Sequence, residues 1–173
     1  MTMLDTMLIV EPLIPGLRRY ARGQVRDMTL ADDLVQDCLE RAVARWHQRQ
    51  PDRSIKAWLY AILHNIAIDR GRKTARQGKS VAVDDTVQSE FATPATQDQG
   101  LRTDDILTAI NLLPEEQRAV LLLIGVEDLS YAEAADVIGV PIGTVMSRLS
   151  RGRERLRVLL DGGAARPALR RVK

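Results

Sequence analysis

Apolar residues recur along much of this chain at intervals of three and four positions, the spacing that gathers them on one face of an α-helix. A first helix or helix pair is predicted from Leu8 to about Val25, and a second helix from Thr29, with Thr29 as its N-cap. A third helix is predicted from Ser54 to about Thr74. Because few runs alternate between apolar and polar residues as strands do, the pattern predicts an all-α protein.

The helical period is lost over residues 78–103, where acidic and small polar residues dominate, and it returns from residue 104. A stretch of this composition is typical of a linker. The chain is therefore predicted to form two small helical domains, at 8–77 and 104–160, joined by a flexible linker at 78–103.

The C-terminal domain carries the pattern of a helix-turn-helix. Ser130 and Glu133 form a capping box at a helix start, Gly139 suits the end of that helix, and Pro141 suits the first turn of the next. The second helix is rich in arginine on its outer side. An ordinary helical hairpin with a solvated face is the alternative, but an arginine face without matching acids favours contact with phosphates and base edges. The motif predicts DNA binding.

Composition excludes several classes of protein. The 173 residues carry a net charge of only +2, with one cysteine and two histidines. We therefore expect no disulfide, no metal site and no cofactor, and a reducing compartment. The N-terminal stretch lacks the basic region of a signal peptide, and no apolar run approaches the ~18 residues of a membrane span. The expectation is a soluble, cytoplasmic protein that does not insert into membranes. No catalytic constellation is present, so an enzyme is not expected.

The third helix places four functional side chains within about 60° of one another, Trp58, Asn65, Asp69 and Arg72. One interpretation is structural, with the tryptophan anchoring the helix to its neighbour and the basic end complementing the helix dipole. The other is a stacking ring and an amide that receive an unpaired base. The residues alone do not decide between the two.

The second helix has a polar outer face formed by Asp33, Gln36, Asp37 and Glu40. Such a face is usually no more than solvated surface. Cys38 lies in the apolar stripe of the same helix, where we expect a small buried hydrophobe rather than a reactive thiol.

Taken together, these motifs give the chain a family resemblance. It resembles the extracytoplasmic-function (ECF) class of bacterial RNA polymerase sigma factors, which keep only the second and fourth conserved sigma regions. The resemblance rests on four segments in the order and spacing of the family: A-D-D-L-V-Q-D-C-L-E-R-A (Ala31 to Ala42), K-A-W-L-Y-A-I-L-H-N-I-A-I-D-R-G-R-K (Lys56 to Lys73), L-P-E-E-Q-R-A-V-L-L-L (Leu113 to Leu123) and L-S-Y-A-E-A-A-D-V-I-G-V-P-I-G-T-V-M-S-R-L-S-R-G-R (Leu129 to Arg153).

The resemblance implies roles for both domains. The domain at 8–77 would be sigma region 2, whose second helix docks on core RNA polymerase. Its loop at 49–54 and its third helix would capture the melted minus-ten promoter element. The implied polymerase contacts are Asp33, Gln36, Asp37 and Glu40. The implied minus-ten contacts are Trp58, Asn65, Asp69, Arg72, Lys73 and Arg76.

The domain at 104–160 would be sigma region 4, whose recognition helix reads the minus-thirty-five element in the major groove. Many members of the family have a basic residue where this chain has Met146, so the identity of one base contact departs from the family pattern. The implied contacts are Thr144, Met146, Ser147, Arg148, Arg151 and Arg155.

The implied function is an alternative sigma factor for a stress or environmental regulon, with core polymerase, promoter DNA and an anti-sigma protein as partners. Two other classes compete with it. A sigma-like decoy would bind an anti-sigma protein without promoter recognition, and would have no need of Arg148, Arg151, Trp58 or Asn65. A dimeric helix-turn-helix repressor would leave the N-terminal domain unexplained.

Overall fold

A computed structural model describes residues 3–25, 27–76, 106 and 108–163. All regular secondary structure within those ranges is helical, and the helices form two units on either side of the predicted linker. The all-α prediction is therefore confirmed. The predicted linker at 78–103 lies outside the described residues.

The N-terminal unit is built from four α-helices. The predicted first element is a helix pair, because the 3-10 turn Glu11–Leu13 interrupts it at Pro12. The helices are α1 Met3–Val10, α2 Ile14–Gln24, α3 Met28–Ala44 and α4 Ile55–Arg76.

Helices α2, α3 and α4 enclose the core of this unit. Leu17, Leu34 and Leu63 are fully buried in it. Cys38 is buried too, its thiol donating a hydrogen bond to the Leu59 carbonyl at 3.5 Å. Burial raises the pKa of this thiol to about 12, so it stays protonated and packs as a small hydrophobe.

The start of α3 differs from the sequence prediction. Asp27, not Thr29, is the N-cap, and its Oδ1 accepts a hydrogen bond of 3.0 Å from the Leu30 amide. Thr29 lies inside the first turn with an exposed side chain. Both residues are good caps, and sequence alone did not show which one the chain places outside the helix.

The C-terminal unit contains the predicted helix-turn-helix. Both bonds of the capping box are present, Ser130 N to Glu133 Oε2 at 2.9 Å and Glu133 N to Ser130 Oγ at 3.1 Å. Gly139 ends the first helix with a φ of 75°. The elements are helical residues at 108–111, α5 Glu115–Leu121, a π-helical segment Leu122–Val126, α6 Tyr131–Ile138 and α7 Ile142–Gly163.

The two units contact each other directly. Helix α6 packs across α4, and α2 packs against α5 and the π-helical segment. Val120, Leu122 and Leu123 are buried at the centre of the C-terminal unit and belong to one apolar cluster with the core of the N-terminal unit. Within the described ranges, no helix has the length and apolar character needed to cross a membrane.

The cap assignment is directly testable. Asp27→Ala should lower the free energy of unfolding by about 0.5–2 kcal/mol, because it removes the acceptor for a free amide at the start of α3. Thr29→Ala is the matched control and should change stability by no more than a few tenths of a kcal/mol, since an exposed helical threonine loses little on truncation. Urea unfolding followed by circular dichroism measures both. Equal losses for the two variants would contradict the assignment.

Candidate nucleic-acid interface

Helix α7 has one face buried against the C-terminal unit and an opposite face exposed to solvent. Val145 and Leu149 are buried against the rest of the C-terminal unit and set the rotation of the helix. On the outer side Met146 keeps 47% of its surface, and Ser147 is also exposed. Arg151 and Arg155 are likewise exposed, so four of the six predicted minus-thirty-five residues face solvent, while Thr144 is half-buried.

Arg148 is the exception to the predicted outer face. Its side chain keeps only 18% of its surface, and its Nη2 lies 2.9 Å from the Glu116 Oε1. Glu116 stands in the first turn of α5, next to the start of α7. The guanidinium of Arg148 therefore already has a carboxylate partner in this conformation, and its predicted role at the DNA stays a prediction.

The tryptophan of the third helix packs against a second tryptophan. The Trp58 and Trp46 rings meet edge to face with their centroids 5.8 Å apart, and the Arg49 guanidinium lies 5.4 Å from the Trp46 ring centroid. Trp58 is half-buried. The contact anchors the start of α4 to the 3-10 turn Trp46–Gln48, which favours the structural interpretation for this ring and fixes one end of the loop at 49–54.

Asn65, Asp69 and Arg72 are exposed on one face of α4, as predicted. Together with His64 they form one wall of a groove between the two units, here called the interdomain groove. Its opposite wall includes Arg148 together with Glu115 and Glu116. Residues predicted to read two separate promoter elements thus face a common groove, and Lys73 and Arg76 extend the α4 side to the exposed end of that helix.

His64 lies at the base of the interdomain groove with 7% of its surface exposed. Its Nδ1 is 2.9 Å from the Tyr20 hydroxyl. Burial first, and the positive charge of Arg148 second, lower the pKa of His64 to about 4. The imidazole is therefore neutral at physiological pH and adds no positive charge to the groove.

The polar face of α3 is largely free of the rest of the protein. Asp33, Gln36 and Glu40 are exposed, and the Gln36 amide donates to Glu40 at 3.1 Å. Asp37 is half-buried and lies 3.5 Å from Arg70 on α4. None of these four residues lines the interdomain groove, and nothing in the C-terminal unit is in hydrogen-bond or ion-pair contact with them in the described structure.

Sequence reasoning missed one residue between the units. The sequence patterns gave Glu127 no role, yet it keeps only 3% of its surface and accepts hydrogen bonds from Arg19 and Tyr60 of the N-terminal unit. Among the described residues no cluster of histidine, cysteine and carboxylate side chains could hold a metal ion.

Comparison with known proteins gives this geometry a family. Residues 103–156 match the model of sigma-70 region 4, and residues 10–64 match that of the sigma2 domain of PhyR. The ECF RNA polymerase sigma factor EcfG of Rhodopseudomonas palustris is 34% identical over 147 residues, 85% of this chain and 80% of that protein. The chain belongs to the ECF sigma factors. SigW of Bacillus subtilis is 30% identical, over 73% of each chain.

Two solved structures support the assignment of the fold to this family. The sigma factor RpoE of Bartonella quintana, in complex with the anti-sigma factor NepR, superposes with a TM-score of 0.80 at 34% identity, covering 91% of this chain and 97% of that one. CnrH in complex with the cytosolic domain of CnrY gives a TM-score of 0.67 at 27% identity, covering 90% and 86%. Sigma factors are transcription initiation factors and not enzymes.

The buried histidine predicts a pH dependence. The folded-state pKa of His64 is depressed, so the unfolded chain takes up this proton at a higher pH than the folded chain. The stability that depends on neutral His64 is present above about pH 6.5 and is lost as the pH falls towards 4, up to about 3 kcal/mol in all. The parent should therefore lose more stability than His64→Gln between pH 7 and pH 4.5 in urea unfolding. Parallel losses in both proteins would refute the assignment.

Proposed function

We propose that this chain is an alternative sigma factor that binds core RNA polymerase, recognises the minus-thirty-five element with α7 and captures the melted minus-ten element with α4 and the loop at 49–54. The observation that carries the proposal is the pairing, within one ECF chain, of an exposed arginine face on a helix-turn-helix with an exposed amide on a helix that ends in basic residues. Neither feature has a role in the core of its unit.

At the upstream element, α7 offers the groups that major-groove reading requires. Arg151 and Arg155 are one helical turn apart, exposed, and without a carboxylate partner in the described structure. An arginine can bond the O6 and N7 atoms of guanine in a bidentate manner. Met146 adds an exposed apolar side chain, which suits the methyl group of thymine better than a phosphate. Arg148 would join them only after leaving Glu116.

At the downstream element, the proposal depends on selectivity for separated strands. The Asn65 amide has donor and acceptor groups for the edge of a base, but an amide on an α4 surface reaches such an edge only when the base has left the stack. Binding only the extruded base stabilises the open state over the duplex. Arg72, Lys73 and Arg76 would hold the adjacent backbone through phosphate contacts.

In this proposal, core polymerase supplies the affinity for promoter DNA that α4 and α7 lack by themselves. Affinity for DNA increases with the number of phosphates that the protein neutralises, and this chain carries a net charge of only +2. Docking through the α3 face formed by Asp33, Gln36, Asp37 and Glu40 would hold α4 and α7 beside the promoter. Their high local concentration at the DNA would then compensate for their weak intrinsic affinity for it.

An anti-sigma protein is the proposed inhibitor. RpoE was solved in complex with the anti-sigma factor NepR, and this chain shares its fold over 91% of its length at 34% identity. A stress or environmental regulon is the corresponding physiological role, which we propose on the family membership alone.

A decoy that binds an anti-sigma protein without reading promoters is the second candidate. One observation favours it, the match of residues 10–64 to the sigma2 domain of PhyR. The match of 103–156 to sigma-70 region 4 and the exposed arginine face of α7 favour the sigma factor. A decoy would give no transcripts with core polymerase on any promoter.

The proposal is tested by transcription in vitro. Core polymerase with this chain should produce promoter-specific transcripts from a library of upstream sequences. Arg151→Ala should lose ~1–3 kcal/mol of discrimination at one position of the minus-thirty-five element, because it removes one bidentate contact. Sequencing of the transcribed templates measures this loss.

Arg153→Ala is the matched control for that experiment. It removes the same charge from the same helix, but residue 153 lies about 200° around the helix axis from residue 151. Its promoter preference should equal that of the parent. If both variants lost the same preference, or if the parent gave no promoter-specific transcripts, the proposed reading by α7 would be wrong.

Polymerase docking predicts the effect of reversing a charge on α3. Asp33→Arg should weaken binding to core polymerase at least about tenfold, because like charges juxtaposed at an interface cost several kcal/mol. The fold should persist, since Asp33 is exposed. Glu11→Arg, an equal charge reversal at an exposed site away from α3, should bind like the parent. Fluorescence anisotropy titrations measure the affinity of both variants for core polymerase. Unchanged affinity of Asp33→Arg would show that the α3 face is only solvated surface.

A further inference from the structure

Two tryptophans and one arginine, all half-buried, lie together beside the loop at 49–54. The Trp46 and Trp58 rings meet edge to face, with their centroids 5.8 Å apart and an angle of 77° between their planes. The Arg49 guanidinium lies 5.4 Å from the Trp46 ring centroid, within the range of a cation–π contact. Trp46 therefore contacts both of the other side chains. This set of three residues is called the tryptophan cluster below.

The tryptophan cluster holds the entry to the loop. The chain leaves α3 through the 3-10 turn Trp46–Gln48, and the Arg49 amide donates to the Trp46 carbonyl at 3.2 Å. Arg49 then has extended backbone, with φ −66° and ψ 134°. Its Nη1 donates to the Gln50 carbonyl at 3.3 Å. The Arg49 side chain thus connects the Trp46 ring to the backbone of the first exposed residue of the loop.

The same cluster holds the exit of the loop. Ser54 caps α4, because its Oγ accepts a hydrogen bond of 3.2 Å from the Ala57 amide. Its carbonyl accepts one of 3.0 Å from the amide of Trp58. The Trp58 ring in turn touches Trp46, so both ends of the loop meet at one contact between two rings. Fixing the two ends of a short loop lowers the number of conformations that remain to the residues between them.

The residues between these two ends are exposed to solvent, namely Gln50, Pro51, Asp52 and Arg53. The Arg53 amide donates to the Gln50 carbonyl at 3.2 Å and closes one turn. The Arg53 guanidinium lies 3.8 Å from Asp136 of α6, an exposed pair that contributes little free energy. The shape of the loop is therefore set mainly at its ends, where the tryptophan cluster lies.

An ordered loop has a consequence for the binding of an unpaired base. A binding surface that becomes ordered only in the complex loses part of its binding free energy to that ordering, whereas a surface already in the bound shape does not. The centre of the N-terminal core is formed by the fully buried Leu17, Leu34 and Leu63, while the two tryptophans pack at its edge. Their position suits the ordering of a surface loop.

We propose that Trp46 is a positioning residue for minus-ten capture, which acts through Trp58 and Arg49 to hold the loop at 49–54 in the shape that receives the unpaired base. The use of the loop rests on the proposed function, whereas its ordering by Trp46 rests on contacts within the N-terminal unit. Trp46 needs no contact with DNA in this role, because it acts through the two side chains that it touches.

Limited trypsin digestion of the full-length chain measures the order of the loop. Arg53 is exposed, and cleavage after it follows the population of locally opened chain. Trp46→Ala should speed this cleavage about two- to tenfold, the range expected when an edge-to-face aromatic contact is lost. Trp46→Phe should stay within about twofold of the parent, because the smaller ring still presents an aromatic edge or face to Trp58. Mass spectrometry of the fragments identifies the cleaved bond.

Asp27→Ala is the matched control for stability. Asp27 caps the opposite end of α3, so its loss destabilises the same helix without touching the tryptophan cluster. Cleavage after Arg53 should then proceed at the rate of the parent. The proposal would be overturned if Trp46→Ala were cleaved no faster than the parent, or if Asp27→Ala were cleaved as fast as Trp46→Ala.

The second measurement concerns capture itself. Core polymerase carrying the full-length chain is titrated with a library of single-stranded oligonucleotides, and the parent should select one sequence. Trp46→Ala should bind the selected oligonucleotide about two- to tenfold more weakly. Its affinity for a duplex that carries only the minus-thirty-five element should not change. Trp46→Phe should recover the affinity for the single strand. General misfolding would lower both affinities together, so the ratio of the two reports on positioning.

The two possible failures are distinct. A parent that selects a single-stranded sequence which Trp46→Ala binds equally well would overturn the positioning role and leave the proposed function intact. A parent complex with polymerase that selects no single-stranded sequence would refute the proposed capture, while the digestion would still show whether Trp46 orders the loop.

Discussion

The relative placement of the two units depends on the burial of one carboxylate, Glu127. An ionised carboxylate removed from water is costly unless several donors surround it, and here every side-chain donor comes from the opposite unit. Burial of Glu127 therefore requires the two units to be in contact. A contact of this kind is specific in geometry, because the Arg19 guanidinium and the Tyr60 hydroxyl must both reach the same carboxylate.

The sequence predicted the structural features that depend on residues close to one another along the chain. The capping box at Ser130, the helix end at Gly139 and the extent of the third helix, α4, follow from residues within a turn or two of one another, and the structure has them all. The start of α3 was misplaced by two residues, because Asp27 and Thr29 are both competent caps and the choice depends on how the preceding connection packs. Family membership followed from the same local motifs.

The candidate site was predicted face by face, but its assembly was not. Helical periodicity correctly predicted that Asn65 on α4 and Arg151 on α7 are exposed. It could not show that the two helices border one groove. Arg148 was assigned to the DNA because its position on α7 is right, while its partner Glu116 lies 32 positions earlier. Glu127 was missed since its partner Arg19 is 108 positions away and a glutamate in a turn carries no signal of burial. The shared groove, the partner of Arg148 and the burial of Glu127 all depend on tertiary contacts, which local sequence patterns do not encode.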